Sequence, residues 1–345
     1  MKNKALKITL TVVVSIVLAV ILLLALVKIG ERILFTSFFV NSETEFKVPG
    51  IADGFVQQGF DYIEEEEIFL VSGYMKDGSS SRVYKLSKDG KSLGFTKLRS
   101  EQGGRNTTHA GGITHSGKYV YISNDTEDEN DTVTNDVGVS VFLLDDILNK
   151  KEAKRQGVID AGLNPAFCYV DSGLLYVGSF HKDGTKYLSP ESHKVTTPSG
   201  DSNTAMIVVF KLDSANDKNF GLEDYAPEYA YSITSQVQGM AIAGNKLVLS
   251  TSYSIAKSHL YIYNFDKVRA SGAGKTTAFG EEIALYYVDS SSLDKDVKAP
   301  PMAEELVYLD GKIFVMNESA CAKYIFGRFT SGNYVHAYKI DKLFN

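Results

Sequence analysis

The chain has 345 residues, 44% hydrophobic and 23% charged, with a net charge of -6, two cysteines and no tryptophan. A chain this apolar can bury a core, which excludes disorder, a collagen-like repeat and a disulfide scaffold; its length allows two domains or one large one. Five basic residues against Glu31 give residues 1–32 a charge of +4 and leave -10 on the rest, so no nucleic-acid partner is expected.

Residues 1–7 form a basic tail with Lys2, Lys4 and Lys7. Ile8 to Val27 is a run of 20 residues without a charge, about 30 Å long as a helix and matched to a bilayer core. A cleaved signal peptide has an apolar core of about 7–15 residues and a small-residue cleavage site. This run is longer and has no such site, so residues 8–28 are read as an uncleaved transmembrane signal anchor. The lysines before it place the N-terminus in the cytoplasm and the body outside the cell membrane. Residues 29–42 are then a juxtamembrane tether, and 43–345 one domain.

That domain is a repeat. The first unit opens at Gln58-Gly59-Phe60, turns at the glutamates 64–67, and continues as IFLVSG (68–73), RVYKL (82–86) and SLGFTKL (92–98). The second runs from Gly111-Gly112-Ile113 through YVYISN (119–124) and SVFLL (140–144) to RQGVID (155–160). The third comprises Ala166-Phe167-Cys168, LYVGSF (175–180), IVVFKL (207–212) and EYAYSI (228–233). The fourth comprises Gln238-Gly239-Met240, LVLSTS (247–252), LYIYNF (260–265) and EIALYYV (282–288). The fifth has Glu304-Glu305-Leu306, IFVMNE (313–318) and YVHAYKI (334–340), and no fourth strand. Alternation of β-branched and aromatic residues with polar ones marks half-buried strands.

The missing strand lies at the other end, within residues 43–49 (ETEFKVP). An N-terminal strand that completes the last unit is how a β-propeller closes without an open edge. The fold class is therefore all-β, a five-bladed propeller, with six blades as the alternative. The face carrying the loops between strands two and three, and those entering strand one, is termed the top. The topology then attaches the anchor at the bottom and turns the top funnel away from the membrane.

Top loops are long, above all 180–204 and 317–332, and rigid scaffolds carry sites on such loops. Residues that open strand one or close strand two give the candidate ligand-binding set: Gln58, Tyr74, His109, Asn124, His181, Gln238 and Tyr253. Amide, phenol and imidazole groups in a ring suit a small polar molecule or a peptide. The other reading is that they bond to one another and to buried water.

Glu304, Glu305 and Glu318 share one blade and are the candidate catalytic residues, since neighbouring carboxylates split their pKa values. They would also suit a structural calcium; otherwise no metal or cofactor is expected. Alternation sends Glu304 and Glu305 to opposite faces. Gly272-Ala273-Gly274-Lys275-Thr276 lacks the first glycine of a phosphate loop. The acidic run 124–136 lacks calcium-loop spacing, and His181 and His193 lack a third zinc ligand. Cys168 and Cys321 are a candidate disulfide, chemically allowed outside the membrane but across the central channel.

Phe55 to Phe60, followed by FLVSGYMKDGSSSRVYKL (69–86), resembles the first blade of plant- and bacterial-type glutaminyl cyclotransferases. The resemblance implies a five-bladed propeller that converts N-terminal glutamine to pyroglutamate. Two positions depart from the family's pattern: Leu70 stands at a functional glutamate, and Gly111-Gly112-Ile113 at its second-blade E-G-L. HAGGI (109–113), VQGM (237–240), PPMAEE (300–305) and ESACAKY (318–324) resemble membrane-anchored or secreted bacterial propellers, which implies a location and a fold. The expectation is a monomeric, membrane-tethered propeller binding a small polar or peptide ligand in its top funnel. The alternatives are an enzyme, a cyclotransferase relative or a hydrolase or lyase using a funnel glutamate, and a protein-interaction platform.

Overall fold

A computed structural model of the protein describes residues 2–124 and 137–340, with side chains from Lys7 onward. Helix α1, Lys2–Leu34, is followed after Phe35 by the single turn α2, Thr36–Phe39, and then by strand β1, Ser42–Lys47. Blade one holds β2 (Phe55–Ile63), β3 (Ile68–Met75), β4 (Arg82–Ser87) and β5 (Ser92–Arg99). Blade two holds β6 (Ile113–Ser116), β7 (Tyr119–Asn124), β8 (Gly138–Leu143) and β10 (Gly157–Ile159), while the short β9 (Glu152–Lys154) runs parallel along β5. Blade three holds β11 (Pro165–Asp171), β12 (Leu174–Ser179), β15 (Ala205–Lys211) and β16 (Tyr229–Ile233), with a two-residue hairpin, β13 (Val195–Thr196) and β14 (Ser202–Asn203), in its top loop. Blade four holds β17 (Val237–Ala243), β18 (Lys246–Thr251), β19 (Ser258–Asn264) and β22 (Leu293–Ala299). Blade five holds β23 (Ala303–Leu309), β24 (Lys312–Asn317), β25 (Tyr334–Lys339) and, antiparallel to β25, β1. The fold is a five-bladed propeller.

One strand is not where the sequence puts it. EIALYYV was expected to close blade four, but β21 (Glu281–Tyr287), with its hairpin partner β20 (Gly274–Ala278), pairs parallel to β16 on the edge of blade three. Its apolar residues are used there: Tyr286 packs at 5.7 Å on both Tyr229 and Tyr231, and Leu285 enters the core between blades two and three. The strand that closes blade four is β22, whose sequence LDKDVKA buries only Val297 and Ala299. An outermost strand with one solvated face carries little apolar signal.

Five apolar clusters fill the five interfaces between neighbouring blades. β1 contributes to the seam between blades five and one, where Phe46 packs on Phe69 at 5.1 Å. A repeated polar bond lies inside these seams. The strand-two hydroxyls of Ser72, Ser123 and Ser250 donate to the carbonyls of Gly111, Ala166 and Glu304 at the head of the next blade, at 2.6, 2.9 and 2.6 Å. In blade three the matching position is Gly178, where a Cβ would stand 1.9 Å from the Phe167 ring.

The start of β1 lies at the bottom, where Lys339 N donates to Asn41 O at 2.8 Å. Helix α1 does not join the domain there, which corrects the expectation from topology. Residues 29–42, read as a tether, are mostly helical and run along the flank of blade five. Phe38 stacks on Tyr338 near the bottom of β25, while Glu31 accepts from Ser331 N and Oγ, each at 2.8 Å, in the top loop. Lys7–Leu34 is long and apolar enough to cross a membrane, and no residue of its most apolar stretch is buried against the domain.

Candidate functional site

The five innermost strands crowd around the axis, and the repeated opening residues divide the work there. The first of them (Gln58, Gly111, Ala166, Gln238, Glu304) heads its strand at the top. The second is glycine in blades one, two and four, because there is no room for a side chain: a Cβ on Gly112 would come within 2.6 Å of Glu305 Oε1, and one on Gly239 within 2.4 Å of Glu305 Cα. In blade five this position is Glu305, whose side chain crosses the space the glycines leave. Its Oε2 accepts from the amides of Phe60 at 2.9 Å and Ile113 at 2.6 Å, while its Oε1 is buried without a hydrogen-bond partner. These are third-position amides of blades one and two, on strand edges that face the axis. Complete burial pushes the Glu305 carboxyl well above its ordinary pKa, and nearby Asp61 adds to this, outweighing the amides.

Glu305 therefore separates two cavities on the axis. Below it a space of about 130 Å³ is lined by Asp61, Thr114, His115 and Tyr169, with His115 Nδ1 2.6 Å from Asp61 Oδ2. Burial pushes the His115 imidazole down, and the Asp61 carboxylate against it reverses this to a net raised pKa. Above Glu305 lies the funnel, a cavity of about 270 Å³. Its lining includes Gln58 and Tyr74 from blade one, His109 from blade two, Gln238 and Tyr253 from blade four, and Glu304 and Glu318 from blade five.

The structure thus brings together seven of the ten residues picked from the sequence. Gln58 Nε2 donates to Glu318 Oε2 at 2.9 Å and to Gln57 O at 2.7 Å, tying the two walls of the blade five–one seam together. The rings of Tyr74 and His109 lie 4.8 Å apart at 32°. Glu304 and Glu318 face the same cavity; Glu305 does not. Asn124 and His181 are also outside it. Asn124 is buried at the end of β7 and donates to Ser140 Oγ. His181 is buried in its loop, where Nδ1 accepts from Ser189 N at 2.9 Å and Nε2 lies 3.1 Å from Asp183. It pins the 180–189 loop rather than facing a ligand. The acidic run 125–136 lies outside the described residues.

Among the lining residues that went unrecognised in the sequence, four have large side chains: Phe180, Tyr187, Lys323 and Tyr324. Phe180 meets Tyr187 edge-on at 5.6 Å and Tyr253 at 6.4 Å, forming one aromatic wall. Opposite, Lys323 Nζ donates to Tyr74 OH at 2.9 Å and lies over the Tyr324 ring at 5.3 Å. All four are on long loops, where no strand period shows which side chains turn inward. The available signal was aromatic residues within loops otherwise rich in polar ones.

The disulfide considered from the sequence is not formed; Cys168 and Cys321 are both free and buried. Cys168 lies in the core of the blade two–three seam and its Sγ faces the carbonyls of Gly112 and Tyr121. Burial pushes both thiols up, with Glu305 adding to the effect at Cys168 and Glu318 at Cys321, so neither is an activated nucleophile.

No family model and no curated protein sequence matches the chain. Among solved structures, an exo-β-1,3-galactanase from Phanerochaete chrysosporium bound to β-1,3-galactotriose is similar at 10% identity and TM-score 0.47, over 86% of this chain and 63% of that one. The β-xylosidase RS223 shares 10% identity at TM-score 0.46, over 86% and 94% of the two chains. A PQQ-bound aldose sugar dehydrogenase from Streptomyces coelicolor shares 14% at TM-score 0.40, over 80% and 76%. Likenesses at this level carry no chemistry over to the chain.

Proposed function

We propose that the protein is a propeller held at the cell membrane by α1, with its domain outside the cytoplasm, that binds a small polar ligand or peptide end in the funnel. The observation that supports this is the meeting of side chains from several blades in one concave space at the top of the axis. Two carboxylates, Glu304 and Glu318, line it together with the rings of Tyr253 and Phe180 and the Gln58 and Gln238 amides. Carboxylates and aromatic faces together favour a ligand bearing an ammonium group, such as a peptide amino terminus. The test is calorimetric titration of the full chain in nanodiscs with short peptides and their N-acetylated forms. Saturable binding that acetylation abolishes is expected, with Glu318→Gln and Tyr253→Ala each weakening it at least tenfold. Binding unaffected by both substitutions would remove the funnel from the reading.

A second reading is enzymatic, favoured by the placing of Glu304 and Glu318 in one cavity, where one carboxyl can act as acid and the other as base. Its most specific form follows the cyclotransferase resemblance. Pyroglutamate release from an N-terminal glutamine peptide, lost in Glu304→Gln or Glu318→Gln, is the expected result of that reading; no turnover by the parent protein closes it.

A further inference from the structure

The junction between α1 and blade five decides which face of the domain lies nearest the anchor. Phe38 is fixed against Tyr338 near the bottom of β25, and Glu31 is fixed against Ser331 in the top loop. Between these points the chain climbs the flank of the blade from bottom to top. α1 also packs on the turn Phe326–Phe329 of that same top loop. From there α1 is helical throughout, so its remaining length, on the order of 40 Å, leaves the domain on the side of the funnel.

The surface around the exit is apolar. Ile33 and Leu34 on the helix are 69% and 74% exposed, and Ile325 and Phe329 on the top loop 50% and 47%. Arg32 and Arg328 are exposed beside them. Large apolar side chains left in the open next to arginines match the boundary of a bilayer, where rings and aliphatic chains enter the headgroup layer and guanidinium groups stay with the phosphates.

We infer that the top rim of blade five rests in the membrane interface, with Ile325 and Phe329 among the lipid headgroups, and that the funnel opens toward the bilayer. The occupant of this apolar rim is lipid because the membrane-crossing helix emerges from the same rim and is bonded to it through Glu31. The inference rests on reading α1 as membrane-spanning. It gives the proposed ligand a source: a molecule presented in the layer next to the membrane, not one captured from the medium beyond it.

The absence of tryptophan from the chain makes a direct test available. Ile325→Trp and Phe329→Trp each place one tryptophan on the rim, and Tyr308→Trp places one at the exposed bottom end of β23. The full chain is reconstituted in phosphatidylcholine–phosphatidylglycerol vesicles with and without acyl-chain bromination, and flotation is measured alongside emission. Brominated lipid is expected to quench the two rim tryptophans at least twofold and to leave Tyr308→Trp unchanged. Protein that floats with the vesicles while its rim tryptophans are not quenched, or while Tyr308→Trp is quenched more, overturns this placement and leaves the anchor standing. Failure to float overturns both.

Discussion

Glu305→Ala is expected to destabilise the propeller more than any single substitution in the funnel wall. The Glu305 carboxyl takes the amides of Phe60 and Ile113, and its removal leaves buried donors on two blades without an acceptor. Each orphaned buried group costs about 1–3 kcal/mol, so a loss of roughly 4 kcal/mol is expected. Glu305→Gln keeps an acceptor oxygen and should lose less. The two variants also separate charge from shape. Burial raises the carboxyl's pKa above its ordinary 4.5, so above that pH the folded state holds a proton that the unfolded chain has released. Stability therefore falls as pH rises from about 4.5 through the folded pKa. Thermal unfolding across this range should show that slope in the parent and a flatter one in Glu305→Gln. Equal slopes would mean that Glu305 is ionised in the folded protein.

The second large effect concerns closure. A chain lacking residues 1–28 keeps Glu31, Phe38 and β1, and is expected to unfold cooperatively as a monodisperse monomer. A chain lacking residues 1–48 also loses β1, which pairs with β25 from Ser42↔Tyr338 to Lys47↔Tyr334. It loses Phe46 and Phe38, each a buried ring whose removal alone costs about 3–5 kcal/mol. The freed edge of β25 becomes a template for pairing with other chains. Size-exclusion chromatography should show oligomers or aggregate for the longer deletion only. A monomer of unchanged melting temperature would show that β1 is dispensable.

Much of the architecture is legible in the sequence because each blade repeats the same physical constraints. A small residue must stand where inner strands approach the axis, and an alternating strand must follow each tight turn. The N-terminal strand was legible for the complementary reason that the last blade lacks one. β22 and β21 were exchanged because apolar content was taken as the mark of a blade strand; an outer strand such as LDKDVKA needs little of it. The seam serines, Ser72, Ser123 and Ser250, were visible as a repeat in strand two, but a serine in a strand does not announce which carbonyl it meets. At the funnel, residues next to strand ends were found and residues deep in loops were not, since a loop's inward side depends on contacts such as that between His181 and Ser189. The side from which the helix departs was missed because topology fixes where β1 begins, and says nothing of the return path from Phe38 to Glu31.

The bar that Glu305 places across the axis has a kinetic consequence. With Glu305 bonded across the axis below the funnel, a molecule is expected to leave through the mouth by which it entered. A substitution that narrows that mouth without touching the bound molecule slows arrival and departure by the same factor. Changes at the mouth then alter the time to reach equilibrium and leave the dissociation constant where it was, while changes at Glu304 or Gln238 move the constant itself.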